Sequence, residues 1–244
     1  MSTFDTPFVH NQDGSKSLYF SFDAMQSSMT QSDPSALDVD YTRTMMGFLM
    51  FNRQPRHLAM IGLGGGSILK FCYRHLPQTQ LTAIEINPHV MALRHEFEIP
   101  DDPARITLVC GDGADFVRNS ETELDVLLVD GFDRKGQSLS LCTQAFYNDC
   151  FQALAPQGMM MVNLNPEHPD HAVFLGRIAL AFDGHLLEVM SEEQSNSIVF
   201  ARKGAALSVA HVRKNDCLKN ADPALRAQLQ REFARIAWVM TDTD

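Results

Sequence analysis

With 244 residues, 45% of them hydrophobic, the chain is long enough for one large domain, or one domain with a small appendage, and can fill a sizeable core. A formal net charge of −10 and a pI of about 5.3 weigh against duplex nucleic acid or an anionic membrane as partner and are compatible with a cationic small molecule. Five cysteines without CxxC spacing (Cys72, Cys110, Cys142, Cys150 and Cys217) read as reduced packing thiols of a cytoplasmic protein, and no apolar run reaches membrane-spanning length.

Residues 1–35 are polar and broken by Gly14 and Pro34. Within them Ser17-Leu18-Tyr19-Phe20-Ser21-Phe22 predicts a strand, in a small hairpin with Phe8 to His10. The short N-terminal β segment is therefore 1–35, and a larger α/β domain occupies 36–244. Asp33-Pro34 is a helix-start signal, and Tyr41, Met45, Met46, Phe48, Leu49 and Phe51 recur at helical spacing, predicting a helix over 36–51.

From residue 57 strands and helices alternate. Strands are expected at 58–62, 81–86, 106–110, 125–130 and 158–164, with helices at 66–75, 88–97, 113–119, 143–154 and 169–181. A loop spans 131–142. Strands 184–190 and 197–202 are joined by the polar turn Ser191 to Asn196 without room for a crossover helix, so they must run antiparallel. Residues 203–221 form a linker, and Leu225, Leu229, Phe233, Ile236 and Val239 mark an amphipathic helix over 222–240. The pattern predicts a doubly wound, mostly parallel seven-stranded sheet, Rossmann-like, ending in an antiparallel hairpin. By fold analogy that ending suits S-adenosylmethionine-type transferases better than nicotinamide enzymes.

The most informative stretch is His57 to Lys70, which runs apolar, then glycine-rich, then helical. A buried strand, a tight turn and a helix N-terminus need that order, and the helix-start amides suit a polar or anionic group. Glu85 closes the next strand, where a carboxylate can accept both ribose hydroxyls of a nucleoside. Asp112 follows the third strand between two glycines. It can accept from an adenine amino group or cap the next helix, and both can hold. Asp130 and Asp133 follow the strongly apolar fourth strand, where an acid can hold or deprotonate an amine, or simply build a turn. Glu167-His168-Pro169-Asp170-His171 has metal-ligand residue types, but the proline and adjoining helix start favour a capped loop.

Ile61-Gly62-Leu63-Gly64-Gly65-Gly66-Ser67, Ile84-Glu85-Ile86-Asn87, Gly111-Asp112-Gly113 and Val129-Asp130-Gly131-Phe132-Asp133 together resemble spermidine synthases and their relatives. The likeness runs in order over roughly residues 17–165 and takes in Gln26, Tyr41 and Phe146-Tyr147. It implies a class I methyltransferase-like sheet, decarboxylated S-adenosylmethionine or methylthioadenosine as nucleoside, an amine as second substrate, no metal, and a homodimer. Glu85 would hold the ribose and Asp112 with Gly113 the adenine, with Gly62, Gly64, Gly65, Gly66 and Gln26 completing the donor site. Asp130 would be the base, Asp133 would grip the polyamine and Tyr41 would orient it. Gly65 stands where the family usually carries an aspartate, Thr42 where it carries glutamine or histidine, and Gly131-Phe132 with Arg134 alter the loop around the two acids. The N-terminal β region is also shorter than a full synthase has. The leading expectation is aminopropyl transfer; the alternatives are an S-adenosylmethionine-dependent methyltransferase and a non-catalytic nucleoside-binding protein.

Overall fold

The computed structural model describes residues 4–21, 24–133, 136–208, 212, 218–219 and 221–243. The chain begins with a three-stranded antiparallel sheet of β1 (Phe8–Gln12), β2 (Ser15–Ser21) and β3 (Ala24–Thr30). The hairpin is as expected; β3 is an addition, because Met25-Gln26-Ser27-Ser28-Met29-Thr30 lacks the β-branched alternation that announces a strand. Its pairing partner identifies it instead: Ser27 lies opposite Leu18 and Met29 opposite Lys16.

Helix α1 (Asp40–Met45) starts later than the periodicity suggests and tightens into a 3-10 turn over Met46–Met50. The residues before it are held by side chains instead of helical bonds. Asp33 accepts from the Ser35 hydroxyl at 2.8 Å and from Arg74 at 2.9 Å, while Arg43 donates to the Leu37 carbonyl at 2.6 Å. Such local bonds compete with helix formation. At Gly47 a Cβ would lie 2.4 Å from the Phe200 ring, so the tightened turn packs directly on the sheet.

The alternating part then runs β4 (His57–Ile61), α2 (Ser67–His75), β5 (Gln80–Glu85), α3 (Pro88–Ala92), β6 (Ile106–Cys110), α4 (Gly113–Arg118) and β7 (Leu124–Val129). It continues with the ribbon β8 (Phe132–Asp133) and β9 (Gly136–Gln137), α5 (Gln144–Ala153), β10 (Leu154–Leu164), α6 (His171–Ala181), β11 (Leu186–Met190), β12 (Ser197–Arg202) and α7 (Pro223–Thr243). The ribbon lies in what the sequence suggests is a plain loop. Nine of the nineteen residues of the 203–221 linker, Cys217 among them, lie outside the described residues.

The main sheet has the order β11-β12-β10-β7-β4-β5-β6, with β12 antiparallel to both its neighbours, as the closing hairpin requires. Both faces are covered. Val126 and Leu128 of β7 join one core with α1, α2 and α7, while Leu127 and Val129 join the other with α4, α5 and α6. That is the period-2 alternation of a strand buried on both sides. The chain leaves β4 for β5 and β6 on one side and returns to β7 on the other. A crevice therefore opens beyond the strand tips between β4 and β7.

Helix α3 ends five residues before its expected limit, in a turn where Glu98 takes a φ of 56°. Two lysines hold that turn: Lys16 Nζ donates to the Glu96 carbonyl at 2.6 Å and Lys70 Nζ to the Phe97 carbonyl at 2.7 Å. Lys70 is only 3% exposed and its other near partner is Met29 Sδ, so burial pushes its pKa down to about 8. The unfolded chain then binds a proton that the folded chain has lost between pH 8 and the ordinary lysine value of about 10.4, so stability rises with pH across that window. Lys70→Met should remove this rise, of roughly 3 kcal/mol. Urea denaturation of both proteins at pH 7 and at about pH 10 checks it, and a pH-independent difference between them would refute it.

Candidate active site

A cleft of about 730 Å³ lies at the tips of β4, β5, β6, β7 and β10. Its floor is the glycine loop between β4 and α2. Gly62 has a φ of +93°, and a Cβ there would lie 2.2 Å from the Asp130 carbonyl oxygen. Only glycine lets the tips of β4 and β7 approach this closely. Gly113 is constrained by space: a Cβ would lie 2.4 Å from Ile61 Cγ2. Gly62, Gly64 and Gly113 line the cleft, whereas Gly65 and Gly66 back onto Ser27, Phe97 and Ile99.

On the β5 side, Glu85 is 9% exposed, and its carboxylate bridges two backbone segments. Oε2 accepts from the Leu63 amide at 3.0 Å and Oε1 from the Asn87 amide at 2.8 Å. Burial raises its pKa, and the surrounding amides oppose that shift. Asp112 is the N-cap of α4, accepting from the Ala114 amide at 2.7 Å and the Asp115 amide at 3.3 Å. Both bonds fall on Oδ1, and the residue also lines the cleft. Gln26 of β3 also lines the cleft.

On the β7 side the carboxylate of Asp130 is held at both oxygens. Tyr41 donates its hydroxyl to Oδ2 at 2.9 Å, and Asn163 donates its amide to Oδ1 at 2.9 Å. Asn163 is itself fixed, since its Oδ1 accepts from Asn196 Nδ2 at 2.9 Å. The turn carrying Asn196 is tied back to α1, where Asp40 accepts from the Glu193 amide at 2.8 Å. Burial raises the pKa of Asp130, while the bonds from Asn163 and Tyr41 favour its charged form and oppose the rise. The Tyr41 phenol is pushed well up by burial and by the neighbouring Asp130, so it remains a donor. Asp133 lies in β8 opposite Gly136, and its side chain is outside the described residues, as is Arg134. Thr42 lines the cleft and donates its hydroxyl to the Val39 carbonyl.

Sequence reasoning missed Asn163 and Asn196. The signal for the first was present: a lone amide at the end of the apolar run Met159-Met160-Met161-Val162-Asn163-Leu164, where a strand covered on both faces has no use for one. The Glu167 to His171 segment is a turn leading into α6. Asn165 accepts from the Glu167 amide, His168 Nδ1 accepts from the Asp170 amide, and His171 faces Glu188 at 3.2 Å. Among the described residues no three His, Cys, Asp or Glu gather as a metal site would need.

The described residues lining the cleft include four acids, Asp5, Glu85, Asp112 and Asp130, and no lysine, arginine or histidine. In a confined space such a field favours a cation. The two held carboxylates, Glu85 and Asp130, flank the glycine loop on opposite sides, so a ligand crossing the strand tips meets one at each end.

A family model described as the spermine/spermidine synthase domain matches residues 39–173. A polyamine aminopropyltransferase from Chromobacterium violaceum is 37% identical over 187 residues, covering 76% of this chain and 72% of that protein. One from Neisseria meningitidis serogroup A is 37% identical over 188 residues, with the same coverage. Among solved structures, a probable spermidine synthase from Corynebacterium glutamicum has a TM-score of 0.70 at 16% identity, covering 91% of this chain and 89% of that one. A spermidine synthase in complex with the transition-state analogue AdoDATO has a TM-score of 0.64 at 21% identity, covering 96% and 83%.

Proposed function

Because the chain belongs to the spermine/spermidine synthase family, we propose that it moves an aminopropyl group from decarboxylated S-adenosylmethionine to a polyamine amine. The amine lone pair attacks the carbon beside the sulfonium, the carbon–sulfur bond breaks, and methylthioadenosine leaves with the electron pair. The proton lost by the amine passes to Asp130. The donor's sulfonium is already a strong electrophile, so the protein's task is to hold the two reactants in line and to deprotonate the nucleophile.

In this reading Glu85 receives the ribose hydroxyls, while Asp112 Oδ2 and the Gly113 amide face the adenine. Gly62 and Gly64 of the glycine loop, with Gln26, complete the donor side, and Gly65 and Gly66 shape the loop from behind. Tyr41 orients the acceptor amine together with Asp130, and Asp133 grips the polyamine farther along. Residues 1–35 act as the wall above the glycine loop, and 36–244 as the catalytic domain. The observation that carries the proposal is the Asp130 carboxylate, pinned by Tyr41 and Asn163 in an acidic cleft beside the glycine loop. A raised pKa suits it to accept a proton from an amine.

The test is a mass-spectrometric product assay with purified protein, both the decarboxylated and the ordinary donor, and a panel of di- and triamines. Aminopropylated amine and methylthioadenosine in equal amounts are expected. A methylated product would instead support the S-adenosylmethionine-dependent methyltransferase, a reading favoured by the lack of an acid at Gly65. Methylthioadenosine binding without any product would support the non-catalytic one.

The homodimer belongs to the same proposal. The apolar faces of α1 and α7 pack against each other and the sheet within one chain, so they do not call for a second copy. The dimer therefore rests on the family resemblance, and sedimentation velocity decides it. No helix among the described residues is long and apolar enough to cross a membrane.

A further inference from the structure

The donor carries a chain on its sulfonium, and whatever meets the far end of that chain decides which donors are accepted. The glycine loop cannot supply the contact with a side chain. A Cβ at Gly65 would lie 2.7 Å from Ser27 Oγ and 2.9 Å from the Phe97 ring, so the space in which any side chain of residue 65 would begin is filled. Ser27, on β3, lines the cleft with Gly64 and Ser67. Its hydroxyl has no hydrogen-bond partner among the described residues.

The wall bearing Ser27 is firmly seated. Ser67 donates its hydroxyl to the Ser28 carbonyl at 3.1 Å, Lys70 Nζ lies 2.9 Å from Met29 Sδ, and the same lysine holds the Phe97 carbonyl. One helix, α2, thus fixes the two residues that follow Ser27 and the backbone of Phe97, whose ring closes the space behind Gly65. A hydroxyl without a partner, on a fixed wall that lines the cleft beside the glycine loop, is a polar contact awaiting one.

We infer that Ser27 meets the end of the donor's sulfonium chain, forming an uncharged subsite in place of a charged one. The inference rests on the nucleoside-donor reading above. A hydroxyl both donates and accepts, so it can meet an ammonium or a carboxylate. Contact at this point then separates the two donors weakly. Preference comes instead from the field of the cleft's acids, which favours the doubly positive decarboxylated donor over the ordinary one, whose carboxylate cancels a charge. A preference carried by field is screened by salt more readily than a contact ion pair.

Isothermal titration calorimetry with three ligands tests this: methylthioadenosine, which has no chain beyond its methyl group, and the decarboxylated and ordinary sulfonium donors. In Ser27→Ala, which is smaller than the native residue and strains nothing, affinity for methylthioadenosine should hold within about twofold. Affinity for the decarboxylated donor should fall at least about tenfold, the value of one hydrogen bond to a charged group. In Ser27→Asp the preference for the decarboxylated donor should rise at least about tenfold, and in the native protein it should shrink as salt is added. Equal weakening of methylthioadenosine in Ser27→Ala would reduce Ser27 to a structural residue and overturn the inference. An unchanged donor ratio in Ser27→Asp would overturn it too. If none of the three ligands binds the native protein, the donor reading itself fails, a result distinct from the other two.

Discussion

Asp130→Asn should lower turnover by about 10²–10⁴-fold, the range spanned by a lost general base, while affinity for methylthioadenosine changes less than about twofold. Asparagine has the shape of the carboxylate; its oxygen can accept from Asn163 while its amide donates to the Tyr41 hydroxyl oxygen, so the cleft keeps its form. It cannot take a proton from an amine. Its melting temperature should hold or rise, because the buried carboxylate carries a desolvation cost that the amide does not. Turnover equal to the native protein would remove Asp130 from the chemistry.

The same group sets the acid limb of the pH profile. Asp130 acts as a base only when ionised, and burial raises its pKa, so kcat/KM should fall on acidification at a pH above the ordinary aspartate value of about 3.9. Asn163→Leu removes an amide that favours the ionised form, so the limb should move still higher. A limb that stays put in Asn163→Leu would mean that some other group governs it.

How much of this was legible in the sequence depended on the range of the interactions involved. Strand β12, Ser197–Arg202, lies where the apolar run puts it, because a fully covered strand is written in its own residues. Glu85, Asp112 and Asp130 could be placed at strand tips for the same reason. What was hidden depends on distant partners. The early end of α3 is set by Lys16 and Lys70, residues that meet its turn across 80 and 27 positions of chain. β3 exists through its pairing with β2, and the late start of α1 through Arg43 and Arg74. The site follows the same division. The position of Asp130 was readable, but the two bonds that hold it come from 89 residues upstream and 33 downstream, and Asn163 has no motif of its own.

Gly62→Ala should be the most damaging single methyl in the molecule. At this position two penalties coincide. The φ of +93° lies outside the region comfortable for an L side chain, and the new Cβ would sit 2.2 Å from the Asp130 carbonyl oxygen. The obstacle is backbone, not the flexible end of a side chain, so relief requires the tips of β4 and β7 to separate. They are joined there by the Asp130 amide, which donates to the Ile61 carbonyl at 2.9 Å, and by the pairing of Ile61 with Val129. Backbone strain and overpacking together should cost about 3 kcal/mol, and a chain of this length should lose roughly 6–12 °C in Tm. Activity should fall further than stability alone explains, because moving the Asp130 backbone moves its carboxylate, and a displacement of about 1 Å can cost about 10²-fold in rate. Gly64→Ala is the internal control. Its φ is also positive, at +51°, but the nearest atom to its Cβ would be Ser27 Cβ at 3.5 Å, an ordinary contact. It should cost about 1 kcal/mol, from backbone strain alone. Thermal melts of the two variants side by side decide the matter: equal losses would show that the close approach of β4 and β7 has no special weight, and that conformational freedom is all the loop requires of its glycines.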